Sequence, residues 1–346
     1  QPERVKGYEA LCRFRPRPYQ APDTWFAEAQ YTGLGVELET TVLREALRGL
    51  EQLEGRQYLS VNAKPAMILS GRLEEVLAEA GASVSVGTWP PTWNIFAKLM
   101  ERGKLDRSRK MHDGRLLEFE RIYPLDAAFD TLDDVPEDIR TNKRYQNVGD
   151  YSISGLVSRW RQDFGEESLD IVVHSLANGP EVRNALIDTS RMGYLAAVSV
   201  SAYSLVAMVR QLAPLMSPGG VFMALSYLAG QRVIPGYGGG MSSAKAALES
   251  DVRVLAHEAG RRFGLRINCI SAGPLASRAA SAIGEIDRMV DYVARNTPLT
   301  ESLQSDEVGQ AAAFLCSPLA SGITGTVLYV DKGYHAMGMP VDQDLL

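Results

Sequence analysis

GVFMALSY at Gly220–Tyr227 and LRINCIS at Leu265–Ser271 are short, nearly uninterrupted apolar runs, joined by a stretch in which Ala, Leu and Val recur at helical spacing. A strand covered on both faces reads as such a run rather than as an alternation, and strands joined by helices build a parallel sheet. Working outward, SVSVG (Ser83–Gly87), FERIYPLD (Phe119–Asp126), LDIVVHS (Leu169–Ser175) and TVLYVD (Thr326–Asp331) repeat the theme. From Ser83 onward the chain is therefore expected to be α/β, with a mostly parallel sheet covered on both faces.

Composition narrows the function. The 346 residues carry 36 basic and 42 acidic side chains, a net charge of −6, and 45% hydrophobic content. That balance leaves no basic footprint for nucleic acid. Cys12, Cys269 and Cys316 form an odd, unpaired set, which points to a reducing compartment. With only four histidines to add, no cluster has zinc spacing, and no metal is expected. Between Gly193 and Gly230 the only charge is Arg210, yet Ser199, Ser201, Ser204, Pro214 and the Pro218-Gly219-Gly220 turn are expected to interrupt any bilayer-spanning run. This stretch reads as a buried helix followed by a buried strand. The N-terminus has neither a secretory apolar core nor a Ser/Arg-rich transit segment, and no initiator Met opens the sequence.

Two unequal parts are expected. Residues 1–80 have a different texture, with RFRPRP (Arg13–Pro18), the helix-like ELETTVLREALRGLEQL (Glu37–Leu53) and the strand-like YLSVN (Tyr58–Asn62). The run from Tyr58 to Gly87 nevertheless has a strand, loop, helix, strand rhythm, which allows YLSVN to supply the first strand of the sheet. Residues 81–346 form the second part. Its spacer at about 99–155 is rich in charge, as in GKLDRSRKMHDGR (Gly103–Arg115), and reads as a surface insertion.

The chemistry concentrates in Ser226–Gly260, where Tyr227 and Tyr237 precede Lys245. Ser242 and Ser243 are placed to cap a helix that carries the lysine. An ammonium there can lower a neighbouring phenol's pKa and hold a ribose hydroxyl, while the phenol hydrogen-bonds a developing oxyanion. Taken alone, the pair reads more often as a turn tyrosine and a solvated lysine.

It is not alone. HSLANGPEV (His174–Val182), SRMGYLAAVSVSAYS (Ser190–Ser204), IPGYGGGMSSAKAALESD (Ile234–Asp251), ISAGPLASRAA (Ile270–Ala280) and ITGTVLYVDKGYHAMG (Ile323–Gly338) together resemble the enoyl-acyl-carrier-protein reductases of the short-chain dehydrogenase/reductase superfamily. The charged insertion ending in DVPEDIRTNKRY (Asp134–Tyr145) is similar to that of the plastid-type branch. The resemblance spans about Gly81 to Met339. It implies a Rossmann-like doubly wound sheet and NADH-dependent reduction of trans-2-enoyl-acyl-carrier-protein during fatty-acid elongation. It also implies acyl carrier protein as partner, a homotetramer, and a cytoplasmic or plastid-stromal location.

Carried over by motif, Tyr237 matches the tyrosine that stabilises the enolate and Lys245 the lysine on the nicotinamide ribose. Tyr227 takes the approximate place of the serine used by general short-chain dehydrogenases and is expected near the substrate. Seven residues separate Tyr237 from Lys245, wider than in those dehydrogenases, which favours enoyl over ketone reduction. For the cofactor, Trp89 matches the aromatic stacked on adenine, and Asp126 with Ala127 the pair reading its edge. Ser175, Leu176 and a buried Asn178 stand at a strand's carboxyl end, where open parallel sheets bind ligands. Ser201, Ala272, Pro274 and Leu275 complete the expected nicotinamide wall, followed by a lid at Ser277–Gly284.

One expected element differs. The family's first strand ends in a G-x5-G-x-G loop that brings a helix N-terminus close to the pyrophosphate, and counting back at that spacing places Asn62, Ile68 and Ser70 at the three glycine positions. GYEALCRFR (Gly7–Arg15), Pro22–Leu47 and YLSVNAKP (Tyr58–Pro65) instead resemble the opening of an EAL domain, the cyclic di-GMP phosphodiesterases, with Glu9 and Asn62 at two metal-liganding places. No later DDFG-like motif follows, so residues 1–80 read as a remnant with Glu9 idle. Two further readings therefore stand beside the reductase: a catalytically inactive hybrid lacking the pyrophosphate loop, and a cyclic di-GMP binding module.

Overall fold

A computed structural model of the chain describes residues 84–104, 119–166, 169–275 and 286–341, together with Leu116 and a few isolated positions before residue 84. The chain divides into two units, residues 1–83 with 109–117 and residues 84–108 with 118–346. In the first unit, β1 (Tyr8–Glu9) and β2 (Leu59–Ser60) pair in parallel, with Tyr8 opposite Leu59. The YLSVN stretch thus supplies β2, and its partner among the described residues is β1. Asn62, Ile68, Ser70 and the expected helix at 72–80 lie outside the described residues.

The second unit holds the parallel strands expected from Ser83 onward. Strand β3 (Val84–Thr88) pairs with β4 (Phe119–Pro124), and β5 (Leu169–His174), β6 (Met216–Tyr227), β7 (Arg266–Ala272) and β8 (Val327–Val330) lie side by side in that order. The uninterrupted apolar runs occupy the inner strands: Ile267, Cys269 and Ile270 of β7 and Phe222 and Ala224 of β6 are inaccessible to solvent. On β5 the side chains divide. Val172 packs on the main core, while Ile171 and Val173, pointing to the opposite face, are 43% and 53% exposed.

Helix α1 (Pro90–Glu101) follows β3, and α2 (Ile153–Phe164) follows β4, with Ser152 capping it by accepting from the Gly155 amide at 3.1 Å. Between β5 and β6, α3 (Arg191–Val198) runs through a π-helical turn at Ser199–Tyr203 into α4 (Ser204–Leu212). The serines expected to interrupt this run do not break it. Ser204 returns its hydroxyl to the Val200 carbonyl at 2.7 Å, and Ser201 turns its hydroxyl to the Asn178 backbone, so neither competes for the helix's own amides. Arg191–Leu215 consequently forms one helical span long and apolar enough to cross a bilayer by length and composition; half of that apolar window is buried within the protein. Ala202, Leu205, Met208, Val209 and Leu212 are among its buried residues facing the core.

Helix α5 (Met241–Phe263) follows β6, α6 (Ile286–Arg295) follows β7, and α7 (Ser305–Cys316) precedes β8. The buried Arg266 guanidinium closes the end of α7, donating to the Leu315, Ser317 and Ala320 carbonyls at 2.7, 3.0 and 3.0 Å. The spacer at 99–155 is more than surface. It contributes β4 and a small core of Val135, Tyr145, Val148 and Tyr151, packed with Trp93 and Phe129. Residues 105–115 of the spacer, and the expected lid at 277–284, lie outside the described residues.

Candidate active site

The carboxyl end of β6 and the start of α5 place the two tyrosines and the lysine together. Gly239 and Gly240, both at positive φ, turn the chain into α5. A Cβ on Gly240 would sit 2.9 Å from the Tyr194 ring and one on Gly239 2.3 Å from the Glu181 backbone, so the glycines are required by conformation and by space. This corrects the expected cap. Gly240 is the N-cap, and Ser242, already inside the helix, donates its hydroxyl to the Tyr237 carbonyl at 3.1 Å. That bond ties the tyrosine's backbone to the helix bearing Lys245.

The Tyr227 and Tyr237 rings meet edge to face with centroids 5.1 Å apart. Lys245, 6% exposed, donates from Nζ to the Leu225 carbonyl at 2.8 Å. Burial pushes the Tyr237 phenol up to about 12 and raises that of Tyr227. The expectation that the lysine lowers the tyrosine's pKa is overturned here, because desolvation is the governing influence on Tyr237. Tyr237 is therefore a protonated hydrogen-bond donor at neutral pH. Burial also lowers the Lys245 pKa, opposed by the proximity of Cys269 and Glu249.

At the end of β3, Trp89 is 49% exposed and donates from Nε1 to Asp126 Oδ2 at 3.2 Å. The same oxygen accepts from the Tyr145 hydroxyl at 2.8 Å, and Oδ1 accepts from the Ala128 amide at 3.1 Å. Ala127, beside it, is buried. The carboxylate is thus fixed in orientation beside a half-exposed indole. Tyr145 is the member of this group that sequence reasoning passed over, since it lies in a polar stretch without periodicity.

Beyond β5, Ser175 is exposed and Leu176 half-buried. Asn178, expected to be buried, is exposed; its backbone amide donates to the fully buried Ser201 Oγ at 3.0 Å. Ser201 accordingly supports the loop after β5 from behind. Ala272 ends β7, Pro274 is buried, and Leu275 packs with Ala272 against Met223 and Ile270.

His174 was also passed over. It ends β5 at 1% exposure, with Nε2 2.7 Å from Ser204 Oγ and Nδ1 without a partner. Burial first, and the Lys245 charge second, push its pKa down to about 4. Since the unfolded chain then binds the proton more readily, stability is full above about pH 6.5 and falls as the pH drops toward 4. The expected slope is up to about 1.4 kcal/mol per pH unit. Urea titrations at pH 7 and 5 should show it, and a His174→Gln chain with an undiminished slope would assign the loss to other groups.

Among the described residues no group of three or more His, Cys, Asp or Glu side chains is placed to hold a metal. The site suits a dinucleotide instead. The Lys245 ammonium has protons beyond the one it gives to Leu225, and the half-exposed Trp89 indole lies beside a fixed carboxylate.

Parallel strands whose carboxyl ends lie beside two half-buried tyrosines and a buried lysine fit a Rossmann-like oxidoreductase. The comparisons make the class specific. The profile of the family Enoyl-(Acyl carrier protein) reductase matches residues 139–335. The chloroplastic enoyl-[acyl-carrier-protein] reductase [NADH] 2 of Oryza sativa subsp. japonica is 55% identical over 274 residues, covering 79% of this chain and 73% of that protein. Its counterpart from Arabidopsis thaliana is 57% identical over 266 residues, 77% of this chain and 68% of that protein. Among solved structures, the Plasmodium berghei enoyl-acyl-carrier-protein reductase with triclosan superposes with a TM-score of 0.74 at 47% identity, over 77% of this chain and 92% of that one. The chain belongs to the enoyl-acyl-carrier-protein reductase family.

Proposed function

We infer that this protein catalyses the NADH-dependent reduction of trans-2-enoyl-acyl-carrier-protein in fatty-acid synthesis. The observation that carries the reading is the edge-to-face pair of Tyr237 and Tyr227 at the end of β6, a strand end whose Leu225 carbonyl the buried Lys245 also binds. When bound, NADH supplies the hydride. Tyr237, kept protonated by burial, donates a hydrogen bond to the enolate oxygen that develops when the substrate's β-carbon is reduced. Tyr227 packs its ring against Tyr237 and limits the directions the phenol can take. Lys245 holds ribose hydroxyls, and Trp89 with Asp126 and Ala127 receives the adenine. Ser175, Leu176, Asn178 and Ser201 flank the nicotinamide from the β5 side, and Ala272, Pro274 and Leu275 from the β7 side.

Acyl carrier protein is the substrate's carrier. We further propose a homotetramer, supported by exposed apolar side chains along one helical run, Met192, Leu195 and Tyr203 at 84%, 56% and 43%. A plastid-stromal location follows the chloroplastic relatives, with neither nucleic acid nor membrane as partner. Residues 1–80 are proposed as an EAL-like fragment. The inactive-hybrid reading gains no support from the high identity to named reductases.

Titration with NADH, followed by tryptophan fluorescence, is expected to show saturable binding that Lys245→Ala weakens; cyclic di-GMP is expected to give no signal. Cyclic di-GMP binding without NADH binding would reverse the assignment. NADPH should bind more weakly than NADH, because Gly87-Thr88-Trp89 at the end of β3 is followed by two prolines, with no arginine to meet a 2′-phosphate. Tighter NADPH binding in the same titration would refute that.

A further inference from the structure

Glu249 is a buried carboxylate that the mechanism above leaves unused. It lies on α5 one turn beyond Lys245 and is 3% exposed. A carboxylate at that depth costs several kcal/mol unless it is paired and hydrogen-bonded. Among the described residues, no Lys, Arg or His side chain forms an ion pair with it, and its two oxygens are met by neutral donors instead. Ser226 Oγ donates to Oε1 at 2.6 Å and Gln231 Nε2 to Oε2 at 2.5 Å. Both donors flank Tyr227. The arrangement continues outward, since Gln231 Oε1 accepts from the Tyr329 hydroxyl of β8 at 2.5 Å, and Tyr329 stacks on His335 with centroids 4.1 Å apart. His335 is in turn held by Asp331 at 2.9 Å.

The geometry around the end of β6 is therefore a bracket. From the same helix, Lys245 grips the carbonyl of Leu225 and Glu249 grips the hydroxyl of the next residue, Ser226. We propose that Glu249 is a positioning residue of this site: it pins the end of β6 so that Leu225 meets Lys245 and Tyr227 meets Tyr237, and its negative charge holds the lysine ammonium in place. The proposal rests on reading Tyr237 and Lys245 as the working pair. The titratable groups facing Lys245 are Glu249 on its own helix, Cys269 on β7 and His174 on β5. Cys269 and Glu249 both oppose the effect of burial on Lys245, and of the two Glu249 is the carboxylate on the lysine's own helix, held in place by Ser226 and Gln231.

The test is Glu249→Gln, which keeps the volume and removes the charge. In the full chain labelled with 13Cε-lysine, the Lys245 signal is assigned by its loss in Lys245→Arg and titrated by NMR without cofactor. The midpoint is expected to fall by about one pH unit in Glu249→Gln, and turnover by about tenfold with the enoyl-substrate KM changed less than twofold. An unmoved midpoint overturns the proposal. Should Glu249→Gln fail to fold, Ser226→Ala removes one arm of the bracket and keeps the charge. It is expected to lower turnover about threefold with the Lys245 midpoint unmoved, and unchanged turnover, or a shifted midpoint, overturns the proposal. Failure of the underlying reading looks different: Lys245→Ala would then retain both NADH affinity and turnover, whatever the Glu249 variant does.

Discussion

Tyr237→Phe is expected to lower turnover on the order of 10²-fold, with the fold and NADH affinity preserved. The substitution removes one oxygen from a ring packed against Tyr227 at 5.1 Å, and nothing in the local backbone depends on that oxygen. What is lost is a donor aimed at charge that exists only in the transition state, and the loss of one such donor typically costs 10²- to 10³-fold. Burial makes the donor effective: it holds the phenol protonated across the neutral range and raises the strength of a hydrogen bond made away from water. The measurement is single-turnover reduction of an enoyl thioester, where chemistry limits the rate. Wild-type turnover in the phenylalanine variant would remove Tyr237 from its role. A fall in NADH affinity of similar size would instead recast it as a cofactor contact.

The sheet was legible from sequence because strands buried on both faces leave an unambiguous trace. GVFMALSY and LRINCIS became β6 and β7, and their parallel neighbours followed from the helices between them. Sequence reasoning failed where a polar residue's behaviour depends on a partner distant in the chain. The serines between Ser199 and Ser204 look like interruptions when counted on a hydropathy scale. In the fold the Ser201 and Ser204 hydroxyls are absorbed by Val200, His174 and the loop at Asn178, and the helix continues.

The site was legible as a set of motifs, and less so as a set of contacts. Tyr227, Tyr237 and Lys245 stand close in sequence, so strand, turn and helix nearly dictate their meeting. Ser226, Gln231 and Glu249 are equally close, but nothing in their spacing says that the carboxylate turns inward. Tyr145 is nineteen residues from Asp126 in a stretch without periodicity, and His174 meets Ser204 thirty residues on. The direction of the Tyr237 pKa shift was misread for a related reason: sequence shows that a lysine follows the tyrosine and hides the desolvation that raises the phenol.

The remaining large effect concerns the pyrophosphate. Counted in sequence at the family's spacing, Asn62, Ile68 and Ser70 fall at the loop's glycine positions, and Pro65 among them lacks an amide proton. Glycines serve such a loop by letting backbone amides approach the phosphates without a Cβ in between. The other cofactor contacts assigned above lie on elements after residue 84 and do not depend on those three positions. The chain is thus expected to bind NADH, but below the affinity a glycine loop would confer. Asn62→Gly, Ile68→Gly and Ser70→Gly introduced together should tighten NADH binding by at least ~10-fold, about 1.4 kcal/mol. Glycine also loosens the unfolded chain, so the same triple variant is expected to unfold at slightly lower urea concentration while keeping a cooperative α/β circular dichroism transition. Tighter binding despite lower stability separates phosphate access from general rigidity as the cause. Equal NADH affinity in the two chains would mean that the pyrophosphate is held without the loop.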